Sequence, residues 1–127
     1  MNNEGQLGYG DNLPRGDKPN TMGTGLPVVD LGPNAFVVSI DCGSASCCAI
    51  LSDYKMKCWG RNQEGQLGIE NTNNMGDDFG EMGSDLPYVN LGDGFFFQSL
   101  LLLGFVIPVL YQQLEWSSVS ASIILVS

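Results

Sequence analysis

The chain has 127 residues, a formal net charge of −9 and no histidine. Its length fits one small domain. The charge argues against nucleic-acid binding, because a phosphate backbone needs cationic side chains and no Lys or Arg follows Arg61. The lack of histidine removes the commonest general base, imidazole metal ligands and the Ser-His and Cys-His nucleophile pairs. We therefore expect no enzyme activity, no metal and no cofactor.

An internal repeat covers most of the chain up to residue 92. Residues 2–32 align with residues 62–92 without a gap, and about half of the aligned positions are identical. The sequence Glu-Gly-Gln-Leu-Gly stands at 4–8 and again at 64–68, and Leu-Pro-x-Val-x-Leu-Gly stands at 26–32 and 86–92. Such self-similarity indicates an architecture in which each unit buries its apolar surface against its neighbours. We call residues 2–32 copy one and residues 62–92 copy two.

Four short strands separated by turn residues are predicted in chain order. Their bounds are Leu26–Asp30, Phe36–Asp41, Cys47–Leu51 and Lys55–Gly60. Four short antiparallel strands are typical of one blade of a β-propeller. The predicted fold is therefore all-β: a partial propeller with about one four-stranded blade and the start of the next.

The last predicted strand pairs with the strand before it through a tight turn near Asp53. Side chains alternate across a strand, so one face should carry Met56 and Cys58. The other face should carry Lys55, Lys57 and Trp59.

The segment that leads into copy two reads Trp59-Gly60-x-Asn62-x-x-Gly65-Gln66-Leu67-Gly68. The Trp59 ring can fill space between blades, and Gly60 removes a side chain where strand becomes loop. Positive φ at Gly65 and Gly68 would turn Leu67 inward, while Asn62 and Gln66 can hydrogen-bond loop backbone. In copy one the equivalent residues are Gly5, Gln6, Leu7 and Gly8, and we expect Leu7 and Leu67 to be buried alike.

This segment is similar to the signature loop of the regulator of chromosome condensation family. Residues 38–43 and 48–51 resemble the middle strands of that family, so the resemblance covers about residues 2–92. Two features depart from the pattern: Ser46 stands where the family often has His, and the link from Tyr9 to Gly25 lengthens the repeat. The resemblance implies a non-enzymatic β-propeller module that binds a protein partner. It also implies an alternative, part of a guanine-nucleotide exchange factor for a small GTPase of the Ran type.

The repeat divides the chain into four parts. Residues 1–25 end a preceding repeat, 26–60 form one complete blade, 61–92 start the next repeat, and 93–127 form an apolar tail outside the repeat. Residues 94–114 carry no charged side chain and are long enough for a transmembrane helix, so a membrane-anchored repeat protein is an alternative. A buried or self-associating tail and a sequence foreign to the repeat are the other two interpretations. Without a secretory signal at the N-terminus, the cytoplasm is the default expectation.

The four cysteines, Cys42, Cys47, Cys48 and Cys58, all lie in the predicted complete blade. Cys48 and Cys58 stand symmetrically about Asp53, and cross-strand neighbours lie within disulfide reach. A disulfide between them and a pair of reduced, buried thiols are equally compatible with the sequence. A zinc site is less favoured, because the spacing is not that of a zinc finger.

A single blade has two bare edges and two faces that neighbouring blades should cover. Repeat architectures generally need three or more units before their summed interfaces outweigh chain entropy. The sequence therefore predicts that the chain behaves as a fragment of a longer propeller and is unstable or aggregates in isolation.

Overall fold

A computed structural model of the chain describes residues 1–92, which contain both copies of the repeat. Their regular structure is almost entirely β. An antiparallel sheet is formed by β1 (Val37–Gly43), β2 (Ser46–Leu51) and β3 (Met56–Gly60), in the order β1-β2-β3. Two single-turn 3₁₀ helices, Gly23–Gly25 and Gly83–Asp85, occupy equivalent positions in the two copies. The prediction of an all-β fold with a partial propeller blade is confirmed.

The turn between β2 and β3 is tight, as the sequence predicts. The backbone N–H of Leu51 donates to the Lys55 carbonyl at 2.9 Å, and the Asp53 carboxylate accepts from the Lys55 N–H at 3.2 Å. Tyr54 takes a positive φ of 64° inside this turn. Cys48 then faces Cys58 directly, and Cys47 faces Trp59.

The prediction of a strand at Leu26–Asp30 is wrong. This segment has no ladder partner within residues 1–92, and Val28 is 91% exposed. Copy two instead approaches the free edge of β3. Tyr88 forms an antiparallel bridge with Lys57, and the Val89 N–H donates to the Met56 carbonyl at 2.8 Å. The segment beside β3 is thus the later Leu-Pro-x-Val-x-Leu sequence.

The two faces of the sheet are buried by different clusters. One cluster contains Met56 and Cys58, together with Leu67 and Val89 of copy two. The other contains Trp59, packed with Leu31 of copy one and Leu86 of copy two. The predicted alternation along β3 is therefore confirmed. The first cluster uses side chains of copy two and the second uses side chains of both copies, so each copy helps to bury the sheet.

The outer strand β1 is far more exposed than its neighbours. All of β2 and β3 is buried, whereas Val38 and Ile40 of β1, and Phe36 just before it, are more than half exposed. Within the described residues β1 is also the edge of the sheet. This side of the sheet thus presents apolar side chains and unpaired backbone groups together.

Among residues 1–92, no helix is long and apolar enough to cross a membrane. The predicted apolar tail, including the candidate membrane segment 94–114, lies outside the described residues.

Candidate functional site

The signature loop of copy two is a compact turn built on two glycines. Gly65 and Gly68 have φ of 74° and 67°, in the left-handed region that favours glycine. The Gly65 N–H donates to the Asn62 carbonyl at 2.9 Å, and the Gly68 N–H donates to the Gly65 carbonyl at 3.1 Å. Positive φ at both positions agrees with the sequence prediction. The same turn recurs in copy one at Gly5 and Gly8, where φ is 70° and 73°.

Asn62 is fully buried and holds the loop together through its amide. Its Oδ1 accepts from the Leu67 N–H at 2.9 Å. Its Nδ2 donates to the carbonyls of Asn71 and Asn73 at 2.9 and 2.8 Å. The Oδ1 atom therefore closes the turn, and the Nδ2 atom connects the turn to the loop segment that follows it. These are structural bonds, with no polar atom left over for a ligand.

Copy one repeats this network residue by residue. Asn2 is also fully buried, with Oδ1 accepting from the Leu7 N–H at 2.9 Å and Nδ2 donating to the carbonyls of Asp11 and Leu13. The glutamines match as well, since Gln6 Oε1 accepts from the Glu4 N–H in copy one. In copy two Gln66 Oε1 accepts from the Glu64 N–H at the same distance, 3.0 Å.

The two leucines of the signature loops are not buried alike. Leu67 is completely buried under the β2–β3 hairpin, with Ile50 and Met56 in its cluster. Leu7 is only half-buried. The prediction of equal burial is therefore wrong for Leu7. The β2–β3 hairpin covers Leu67, and within residues 1–92 it does not cover Leu7 in the same way.

Trp59 joins the blade to the signature loop of copy one. Its Nε1–H donates to the Gln6 carbonyl at 3.1 Å. A side chain at Gly8 would meet the indole, since a Cβ built there lies 2.8 Å from Trp59 Nε1. Next along β3, Gly60 has a φ of 102°, and a Cβ there would collide with the Ala45 carbonyl. Trp59 and Gly60 thus have packing roles at the point where one repeat meets the next.

Further hydrogen bonds link the loops of the two copies directly. The Gly10 N–H donates to the Gly76 carbonyl at 3.0 Å, and Asn74 Nδ2 donates to Glu4 Oε2 at 2.7 Å. Gly5 lies so close to the Gly76–Asp77 peptide that any Cβ would overlap it. The loop of copy one therefore sits against copy two in a defined position.

Part of this chain is similar in sequence to known proteins. The family model described as Regulator of chromosome condensation (RCC1) repeat matches residues 37–66, from the start of β1 to Gln66. The chain carries a regulator of chromosome condensation repeat. The X-linked retinitis pigmentosa GTPase regulator of Mus musculus is 35% identical over 74 residues, which is 58% of this chain and 7% of that protein. The chain thus matches a small part of a much longer relative.

The sequence analysis does not predict the one buried lysine among the residues that the structure describes. Lys57 is 3% exposed, and its Nζ donates to the carbonyls of Leu31 and Gly83, both at 2.8 Å. Burial is the main cause that lowers the pKa of this ammonium group. The Nζ also lies 4.8 Å from the centre of the Tyr88 ring. The position of this lysine between Met56 and Cys58 in the strand is a sequence signal of burial. Its two acceptor carbonyls belong to loops that are distant in sequence, so they could not be predicted.

Two disulfides cross the sheet of the repeat. Cys48 on β2 is joined to Cys58 on β3, and Cys47 on β2 is joined to Cys42 on β1. The two adjacent cysteines of β2 point to opposite faces of the sheet, and each is joined to a different neighbouring strand. The sequence suggested only the first pair. Cys42 is exposed, whereas Cys48 and Cys58 are fully buried.

We predict that removing the Cys48–Cys58 bond in the variant C48A/C58A lowers the free energy of unfolding by about 2–3 kcal/mol. A bond that closes a loop of this length restricts the unfolded chain by roughly that amount. Thermal unfolding with and without dithiothreitol measures the effect. The control C42A/C47A should lose less, because its loop is shorter. If dithiothreitol leaves the unfolding of the unmodified chain unchanged, the bonds do not stabilise the sheet.

Copy two contains an acidic loop, residues 76–81, whose glutamate side chain binds the backbone of the loop itself. Glu81 Oε2 accepts from the N–H groups of Gly76, Asp77 and Asp78 at 2.9, 3.1 and 3.0 Å. Burial, followed by a hydrogen bond and repulsion from Glu81, raises the pKa of Asp77. Within residues 1–92, no group of three or more potential ligands is arranged to hold a metal ion.

Proposed function

We propose that the chain is a non-enzymatic module of a β-propeller whose loops bind a protein partner. The observation that carries this proposal is the interlocking of the repeats. Copy one supplies the loop that receives Trp59, and copy two supplies the segment beside β3. Each unit is completed by residues from its neighbours, as in propellers and other repeat proteins. Scaffolds of this kind function through the loops between their strands.

The same contacts support a revised boundary for the blade. We propose that one blade comprises β1, β2 and β3 together with residues 86–91 of copy two. Leu26–Asp30 is then the equivalent segment of the preceding blade. The exposed apolar residues of β1 fit this proposal, because a neighbouring blade would cover them. The other predicted repeat boundaries stay predictions.

A second candidate function is nucleotide exchange on a small GTPase. It is favoured by the name of the mouse relative, a GTPase regulator. The chain corresponds to 7% of that protein. Exchange activity depends on contacts spread over a whole protein face. The match to the mouse relative covers only a small part of that protein, so it supports binding of a protein partner more directly than it supports nucleotide exchange.

The two candidates differ in what happens to bound nucleotide. The full chain should be chemically crosslinked in a lysate of its source, and the joined protein then purified and titrated with the chain. A saturable complex supports the interaction module, and its absence contradicts it. For the second candidate, a Ran-type GTPase loaded with a fluorescent GDP analogue is mixed with the chain. Faster release of the analogue supports exchange activity, and unchanged release excludes it for this chain.

A further inference from the structure

A cleft of about 380 Å³ lies where the link of copy one meets the loop of copy two. Copy one contributes Tyr9, Arg15 and the Pro27–Val28 segment, and copy two contributes Phe79 and Met82. Its volume is in the range of sites that hold a small ligand or a few side chains of a peptide.

Backbone hydrogen bonds hold the walls of this cleft in place. The Gly10 N–H donates to the Gly76 carbonyl at 3.0 Å on one side, and the Gly83 N–H donates to the Asp30 carbonyl at 2.8 Å on the other. Each bond runs from one copy of the repeat to the other. The cleft is therefore a surface feature whose shape is set by the contact between the two copies.

The apolar lining of the cleft is unusually open to solvent. Phe79 is 100% exposed and Val28 is 91% exposed. Large apolar side chains that are exposed together mark binding surfaces more often than isolated ones do. An apolar side chain from a partner would bury both residues and gain roughly 25 cal/mol for each Å² removed from water.

The polar groups around the cleft leave an excess of negative charge. Arg15 is already paired, since its Nη2 lies 2.7 Å from Asp11 Oδ2. Asp30 lines the cleft, where its charge also acts on buried Lys57 without forming an ion pair. Asp78 precedes the lining residue Phe79 and belongs to no ion pair within residues 1–92. Copy two contains no Lys or Arg at all. The field at the cleft therefore attracts cations and repels anionic ligands.

We propose that this cleft binds a basic segment of a protein partner, with an apolar side chain of that segment seated against Phe79 and Val28. Charge complementarity with Asp30 and Asp78 selects a cationic sequence, and the open apolar lining selects a hydrophobic anchor. The inference rests on the proposed interaction function and names the chemistry of the partner.

Comparison of the two copies supports a role specific to copy two. Lys18 and Pro19 stand where copy two has Asp78 and Phe79. The repeat therefore accepts a lysine at this position without losing its turn. This makes Asp78→Lys a mild substitution for the fold and a strong one for the charge of the cleft.

The test titrates the full 127-residue chain into a fluorescein-labelled peptide in which lysine alternates with leucine, measured by fluorescence anisotropy. We expect saturable binding that weakens as sodium chloride is added. Phe79→Ser and Asp78→Lys should each weaken binding by about tenfold, the size expected for loss of an anchor or of a complementary charge. Peptides with glutamate for lysine, or with serine for leucine, should not saturate.

Matched controls separate the cleft from general acidity. Asp41→Lys makes the same change of charge on β1, away from the cleft, and Phe36→Ser removes another exposed aromatic residue. Both should bind like the unmodified chain, and circular dichroism should show that all four variants fold. Absence of saturable binding to the unmodified chain overturns the inference, as does an equal loss in Asp41→Lys and Asp78→Lys. Crosslinking to a protein partner without binding of the peptide overturns the cleft and leaves the interaction function standing.

Discussion

Replacing Trp59 with alanine should lower the free energy of unfolding by about 3–5 kcal/mol, the range for truncating a large buried aromatic side chain. The indole is 2% exposed and packs with Leu51 and Leu86. Its Nε1–H also donates to the Gln6 carbonyl of copy one. The substitution thus empties one face of the sheet and removes the bond that joins it to the preceding loop.

Urea denaturation followed by circular dichroism measures this loss. A complete domain has a total stability of about 5–15 kcal/mol and an isolated blade is expected to have less, so disappearance of the cooperative transition is the same result in its extreme form. Trp59→Phe keeps an aromatic ring but not the donor, and it should lose less than the alanine variant. Phe36→Ala is the matched control, because that ring is 68% exposed. If Phe36→Ala costs as much as Trp59→Ala, Trp59 is not the centre of the core.

The position of Trp59 could be predicted because its signals are local. The alternation along β3, the turn at Asp53 and the two glycines of each signature loop are all determined by residues a few positions apart. These are the parts of the fold on which sequence and structure agree. The asparagine and glutamine bonds follow from the same short-range geometry.

The parts that could not be predicted depend on contacts between distant residues. The Leu-Pro-x-Val-x-Leu sequence occurs twice, and nothing in it tells which copy lies beside β3. Lys57 can be buried because its Nζ donates to the Leu31 and Gly83 carbonyls. These acceptors lie 26 residues before and 26 residues after it in the sequence. Cys42 and Cys47 are only five residues apart, but their pairing depends on the β1–β2 register, which sets them opposite each other.

Unequal burial of Leu7 and Leu67 shows the same limit at one position of the repeat. The two residues occupy equivalent turns, and each donates its backbone N–H to an asparagine Oδ1, so the local sequence predicts equal burial for both. The difference arises from the β2–β3 hairpin, which covers only the later residue. A repeat sequence therefore predicts the shape of each unit better than it predicts what each unit is packed against.

This difference leads to a second large expected effect, at the buried asparagines. Asn62→Ala should lower the free energy of unfolding by about 2–4 kcal/mol, the sum expected for lost hydrogen bonds and one buried donor left unpaired. The donor is the Leu67 N–H, which lies in the core and has no access to water. The carbonyls of Asn71 and Asn73 lose a partner too, but both residues are exposed and water can replace it.

Asn2→Ala is the matched control, because it removes the same bonds from copy one. We expect a smaller loss there, since Leu7 is half-buried whereas Leu67 is completely buried. Asn62→Asp keeps an acceptor for Leu67 but turns a negative oxygen toward two carbonyls, so it should destabilise the chain at neutral pH. That loss should shrink in acid, where the protonated carboxyl can donate again. Urea denaturation of the three variants at neutral and acidic pH measures these differences. Equal losses in Asn2→Ala and Asn62→Ala would show that the turn itself, and not the cover over it, sets the energy of the bond.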